Sequence, residues 1–381
     1  VNDHEPLSNK FDLRRILKTG VANSLHWSGL DRAVGSLRGR NAAPFVVGYH
    51  RVVEDFKSCA THSMPSMLVS KDAFIRQLEW LGRHYDFVSL DELASIQQGP
   101  PRQGKPVAAV TFDDGYQDYY DNAFPILQRM GIPSAVFVVT NLVGTTQLLV
   151  HDELYWLFST LKAKTGTVSA NIPQGVVQRM LLPNRVKKTL LQRINGIHAP
   201  FKLTRSILET LGPSDVRAYI RTLTRLMQVQ PCQLQEFRLM GWDALNTLVK
   251  NGVTVGSHTR THALLDGEPA TVVRRELEGS RLALEHHLGV RINHLAYPDG
   301  RFDAVVVREA AAAGYSTACT ICGHQDQMHS LLTVSRKMLW EKSCMDSLDV
   351  FSPAIMSCQA NGIFDPADKC QLQHGARVGS C

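Results

Sequence analysis

Short β-branched runs alternate with amphipathic helical stretches along this chain, which predicts an α/β fold of β/α units around a parallel sheet. Two further observations support that class. Several of the runs are near-continuously apolar, as strands buried on both faces require. The residues best suited to chemistry also follow directly on such runs, where α/β folds place their functional loops. In order, the spacing predicts strands at 45–50 (FVVGYH), 86–89 (DFVS), 107–112 (VAAVTF), 134–139 (SAVFVV), 253–257 (VTVGS), 294–298 (HLAYP) and 316–320 (STACT). Helices are predicted between them at 71–84, 90–98, 118–130, 241–251, 269–288 and 303–313.

The rhythm breaks after Val139. Residues 141–240 are rich in Leu, Gln, Arg and Lys at helical spacing and read as a helical insertion, so the α/β core is expected over 41–140 and 241–340. Residues 1–40 and 341–381 are rich in Gly, Ser and polar residues and read as weakly structured extensions.

Composition narrows the function classes. At 381 residues and 44% apolar content the chain buries a core without disulfides or a structural metal. Its 41 basic and 35 acidic side chains leave a net charge of +6, spread along the sequence, so no footprint for nucleic acid is seen. No apolar run reaches the 18 residues of a membrane span. The first forty residues lack a basic-then-apolar export pattern, which points to a cytoplasmic location; an exported form would need a presequence missing from this chain. Eight Cys form no repeating framework, and reduced thiols are expected.

Thr111-Phe112-Asp113-Asp114-Gly115 carries the strongest chemical signal. Adjacent carboxylates repel, so a positive group is expected beside them, most simply a metal ion. Taken alone, the same residues also describe an Asp-Gly turn with a cap. Ser257-His258-Thr259-Arg260-Thr261-His262 follows another predicted strand. Two His at i and i+4 fall on the same side of one helical turn and can reach a single ion. With one carboxylate they make a three-ligand set that leaves positions open for water and substrate, the pattern of a hydrolytic site.

These residues resemble the polysaccharide deacetylases of carbohydrate esterase family 4, the NodB-homology domain. TFDDG is similar to the family's first motif, SHTRTH to its His-x-x-x-His motif, and Ala296-Tyr297-Pro298-Asp299-Gly300 to its third. The resemblance covers roughly 45–140 and 241–340. It implies a distorted (β/α)7-type barrel with Asp114, His258 and His262 holding a divalent metal and Asp113 as general base. The residues alone do not say which Asp ligates; the resemblance does. Zn2+ suits the Asp/His/His set, and Co2+, Ni2+ or Fe2+ fit the same ligands.

The third motif departs from the Arg-Pro-Pro-Tyr-Gly of many members: Ala296 stands at the Arg and Asp299 at the Tyr. The resemblance assigns oxyanion and substrate binding to Tyr297, Pro298 and Asp299, and a main-chain N–H at Asp299 survives any side-chain change. Loss of the Arg leaves open what orients Asp113, with Arg51 and Arg336 as candidates. Gly48-Tyr49-His50-Arg51-Val52, Val69-Ser70-x-x-x-Phe74-x-x-Gln77-Leu78 and Val88-Ser89-Leu90-x-x-Leu93 resemble the start of the exopolysaccharide poly-N-acetylglucosamine deacetylases. In that branch the early strand supplies the general acid, which here is His50. Later alternatives are His324, His329 and His374.

The expected activity is therefore metal-dependent N-deacetylation of an acetylated carbohydrate, a polysaccharide or its precursor. An O-acetyl esterase, a cyclic-amide hydrolase and a glycan-binding pseudoenzyme on the same fold are the alternatives. Cys319-x-x-Cys322 and His286-His287 read as packing and as a solvated helix face.

Overall fold

The computed structural model describes residues 13–37, 44–99, 103–166, 168, 171–229 and 235–365. Among these, the chain divides into two units: one of 13–54, 66–145 and 239–365, the other of 55–65 with 146–238.

The first unit is a closed parallel barrel. Its strands are β1 (Phe45–Tyr49), β5 (Val107–Phe112), β6 (Ser134–Val138), β7 (Thr254–Ser257), β8 (His294–Ala296), β9 (Thr317–Thr320) and β10 (Val334–Met338). They pair in the order β1-β10-β9-β8-β7-β6-β5, and β5 returns to β1 to close a ring of seven. β4 (Asp86–Phe87) hangs on the outer edge of β5, and β2 (Arg51–Val53) pairs with β3 (Leu68–Ser70) in a separate two-stranded ribbon. Every residue of β1, β5 and β6 is buried, which is why their sequences run apolar without alternation. The expected barrel is thus the observed one.

The crossover helices follow from local sequence. Before the insertion these are α4 (Lys71–His84), α5 (Leu90–Gln98) and α6 (Phe124–Met130); after it come α12 (Trp242–Lys250), α13 (Ala270–Leu288) and α14 (Ala304–Ala312). Ser70 caps α4 by accepting from the Ala73 N–H, and Phe74, Gln77, Leu78 and Leu81 then bury one helical stripe. Ser89 and Glu92 form a reciprocal capping box on α5. Ahead of α6, residues Tyr119–Ala123 form a wider π turn where a plain helix is expected.

Both ends of the barrel unit are more ordered than composition suggests. α1 (Leu13–Ser28), α2 (Leu30–Leu37) and α15 (Pro353–Ala360) are helices where weakly structured extensions are expected. The reason is long-range. Asp31 is fully buried, accepts from Ser357 Oγ at 2.6 Å and lies 2.8 Å from His26 Nδ1. Ala22 packs with Ile355 and Cys358. Ser357, Ile355 and Cys358 stand more than three hundred positions from the α1–α2 residues they contact, so a local reading misses them.

The second unit holds α3 (Phe56–Cys59), α7 (Val150–Thr165), α8 (Asn171–Arg179), α9 (Asn184–Ile194), α10 (Pro200–Leu208) and α11 (Pro213–Met227). Leu154, Phe158, Leu190, Leu203, Tyr219 and Leu223 are in its own apolar core, with Trp156 packed half-buried against them.

One barrel residue makes stability depend on pH. His294 on β8 is buried, with Nδ1 2.9 Å from Thr317 Oγ1 and Nε2 3.0 Å from Asp91 Oδ1. Burial pushes its pKa down, and Asp91 only partly offsets this. A base with a depressed folded-state pKa binds fewer protons folded than unfolded, so stability falls as pH drops below the unfolded value of about 6.5. Chemical denaturation between pH 7 and pH 5 should therefore show declining stability, with a shallower slope in His294→Asn. An identical slope in the variant would show that other groups set the dependence.

Candidate active site

The candidate residues gather at the carboxyl ends of adjacent strands. Asp113 and Asp114 follow β5, His258 opens the loop after β7, the 298–300 turn follows β8, and His50 follows β1. The backbone joins the first and last of these: the Asp113 N–H donates to the Tyr49 carbonyl at 2.9 Å, placing His50 beside the carboxylate pair.

Asp114, His258 and His262 converge. Asp114 Oδ1 lies 3.6 Å from His258 Nε2 and 3.4 Å from His262 Nε2. Both separations exceed a good hydrogen bond. They match the roughly 3.4 Å between two ligands that each stand about 2.1 Å from one tetrahedral ion. These three residues are the one such group among the described residues. His258 Nδ1 donates to the Ala296 carbonyl at 2.8 Å, which fixes the tautomer and leaves the Nε2 lone pair facing Asp114. Burial also lowers the His258 pKa, keeping the imidazole neutral as a ligand must be. The residues present therefore fit a divalent cation.

The two His do not share a helical turn, contrary to the spacing argument. Residues 258–262 form an irregular loop in which Thr259 and His262 take left-handed conformations (φ 67° and 62°). The loop is held by Glu276, whose carboxylate accepts from the Arg260 and Thr261 N–H groups, both at 2.9 Å, and from Thr261 Oγ1 at 3.1 Å. Thr259 Oγ1 accepts from the His262 N–H. The imidazole rings meet edge to face, 4.9 Å between centroids.

Asp114 is left-handed as well (φ 72°), as is Asp299 (φ 53°). Four of the six non-glycine residues with positive φ among the described residues are thus at this site, where surrounding structure must hold them. Gly115 continues the bend at φ 77°, and a Cβ there would stand 2.7 Å from Val138 Cγ1. Gly115→Ala is expected to cost about 1–3 kcal/mol in denaturant titration and to displace Asp114. Wild-type stability together with wild-type metal affinity would refute this.

Asp113 is held by Arg336 of β10. Its Oδ1 accepts from Arg336 Nη1 and its Oδ2 from Nη2, both at 2.7 Å, and Nη1 also donates to Thr111 Oγ1 at 3.0 Å. Burial raises the Asp113 pKa, but Arg336 above all, with His258 and His50, outweighs it and holds the carboxyl at about 2. Of the two candidates for orienting Asp113, the structure selects Arg336. Arg51 instead pairs with Asp118 at 2.8 Å and lies over the Tyr116 ring. Asp113 therefore has a bidentate partner despite Ala296 in the third motif. Polar Ser335, Arg336 and Lys337 hide the strand that carries this partner from an apolar-run search.

The remaining candidates are placed as follows. Tyr297 is fully buried; its hydroxyl donates to the Leu332 carbonyl and its N–H to Cys319, so its side chain belongs to the core. Pro298 is buried at the start of a 3-10 turn that carries Asp299. His324 lies on an exposed loop with its ring 6.1 Å from that of Phe302, and His329 is 3.4 Å from Asp326. His374 lies outside the described residues. Cys319 is buried, its thiol pushed up to about 11 by burial, and neither it nor Cys322 is in a disulfide.

Comparison with known proteins identifies the family. A family model described as polysaccharide deacetylase matches residues 101–169 and 198–318, spanning Asp113, Asp114, His258 and His262 but not His50 or Arg336. A poly-beta-1,6-N-acetyl-D-glucosamine N-deacetylase of Staphylococcus epidermidis is 33% identical over 115 residues, 28% of this chain and 39% of that protein. The match thus spans well under half of that relative's length. Two solved structures share the fold. The Streptococcus pyogenes deacetylase PplD in complex with acetate has a TM-score of 0.50 at 16% identity, over 82% of this chain and 96% of that one. IcaB from Ammonifex degensii also has 0.50, at 17% identity over 84% and 97%.

Proposed function

From the chain's membership of the polysaccharide deacetylase family, we propose that it is a metal-dependent hydrolase removing N-acetyl groups from N-acetylated sugars of a polysaccharide or its precursor. The observation that carries this reading is the Asp114–His258–His262 cluster beside an ion-paired Asp113. A divalent cation held by those three residues, with Zn2+ preferred by the donor set, would acidify a water and polarise the acetyl carbonyl.

The chain's own residues supply the rest. Asp113 takes the water's proton on Oδ1 or Oδ2, each of which accepts one Arg336 N–H and keeps a second lone pair. Arg336 fixes the orientation of that carboxylate and keeps it ionised, at some sacrifice of basicity. The main-chain N–H of Asp299, on the turn after β8, would donate to the developing oxyanion. His50, half-buried at the end of β1, protonates the leaving amine.

Similarity to a named poly-N-acetylglucosamine N-deacetylase supports the amide over the ester as the bond cleaved. The test is acetate release from N-acetylhexosamine oligomers and from acetylated xylan, with metal analysis on the same sample. Release from the amino-sugar oligomers, lost to a chelator and restored by Zn2+ or Co2+, is expected. Full activity in metal-free protein would overturn the metal role, and release from xylan alone would favour an esterase.

A further inference from the structure

The outer face of α1 has the character of a membrane-interface helix. Ile16, Leu17, Val21 and Trp27 follow Leu13 at three, four, eight and fourteen residues and so project to the same side of the helix. They are 66%, 40%, 58%, 49% and 96% exposed, although residues of this type are normally covered. The opposite face is committed to the protein: Arg15 donates to Asp346 O and Asp349, Lys18 to Ser343 O, and Ala22 packs on α15. On α2, Leu30 and Leu37 are exposed as well.

Charge selects the occupant. Among residues 13–37 the only acid is Asp31, and it is fully buried against His26 and Ser357. Arg14 and Arg32 are exposed. The nearby carboxylate of Asp349 is ion-paired to Arg15 and Lys342. A second copy of this chain would bring two basic faces together, whereas an anionic lipid surface complements them. Aliphatic residues with an exposed Trp on one face and arginines at its margin are what a helix lying in the headgroup region presents. Among the described residues, no helix is long and apolar enough to cross a membrane, so the contact is one of lying on the surface.

We infer that α1, with the start of α2, docks this chain on an anionic membrane surface. Leu13, Ile16, Leu17, Val21 and Trp27 enter the headgroup–acyl boundary, and Arg14 and Arg32 face lipid phosphates. The inference is independent of which acyl group the barrel removes.

The test is flotation of the full chain with vesicles of phosphatidylcholine alone or mixed with phosphatidylglycerol. Binding to the mixed vesicles, weakened by salt, is expected, with Leu17→Ser/Trp27→Ser reducing affinity at least about tenfold. Failure of the wild type to float, or unchanged binding by the double variant, overturns the inference. A variant folding defect is bypassed by fluorescence: brominated lipid should quench the wild type more than Trp27→Phe, and equal quenching overturns the docking mode. Sedimentation of a dimer that Leu17→Ser/Trp27→Ser converts to monomer would assign the face to a second copy instead and equally overturn it. None of these readouts uses acetate release, so failure here leaves the proposed activity standing, and the reverse.

Discussion

Asp113→Asn should lower acetate release by about 10³-fold while leaving divalent metal uptake near wild type. The substitution is almost isosteric and removes the proton acceptor, yet Asp114, His258 and His262 are untouched. It has a second effect that must be separated from the first. Arg336 is buried beside residue 113, and an amide leaves its charge uncompensated, so the variant should also be destabilised. Pairing it with Arg336→Met removes both charges. The double variant should recover much of the stability and none of the activity, because replacing a buried pair by apolar groups is often neutral. Turnover within a factor of a few of wild type in Asp113→Asn would exclude Asp113 as the base.

Arg336→Met alone is the second large effect. It strands a buried carboxylate, with an expected loss of about 3–5 kcal/mol in denaturant titration. Turnover should fall about 10²-fold in the protein that remains folded, since Asp113 loses both anchoring hydrogen bonds. The pH profile separates positioning from mere destabilisation. In the wild type Asp113 titrates at about 2, so it is ionised throughout the usual assay range and contributes no acidic limb there. Without Arg336, burial acts on that carboxyl with its strongest counterweight removed, and its pKa rises. The base must be deprotonated to act, so an acidic limb should move upward in pH toward the assay range. Lost stability with an unchanged pH profile would make Arg336 a structural residue only. The sign for stability follows the same shift. A folded-state pKa of about 2 against about 3.9 unfolded stabilises the wild type above pH 4, and this contribution disappears as pH falls through 2.

Much of the barrel was legible because buried parallel strands write themselves as apolar runs: VAAVTF and SAVFVV coincide with β5 and β6. β10 was not, since its centre is Ser335-Arg336-Lys337 and one of those polar residues is the partner of Asp113. The identity of the metal-type cluster was readable from residue types, but its backbone was not. The i, i+4 spacing of His258 and His262 suggested a helix, whereas Glu276 and two left-handed residues bring the rings together through a loop. Arg51 and Arg336 were equivalent on paper. Only the closed ring, which puts both β5 and β10 beside β1, decides between them. α1 and α15 escaped notice for a related reason, as their stabilising contacts join residues more than three hundred positions apart.

That closure has a consequence for the order in which the protein is made. Asp113 emerges from the ribosome early, and Arg336, its counter-charge, more than two hundred residues later. Until β10 is synthesised and slides between β9 and β1, the ring stays open and the carboxylate has no reason to leave water. Completion of the Asp113–Arg336 ion pair and completion of the barrel are then a single event. A nascent chain, or one cut short before the last strand, would carry Asp114, His258 and His262 and still leave Asp113 without the partner that orients it.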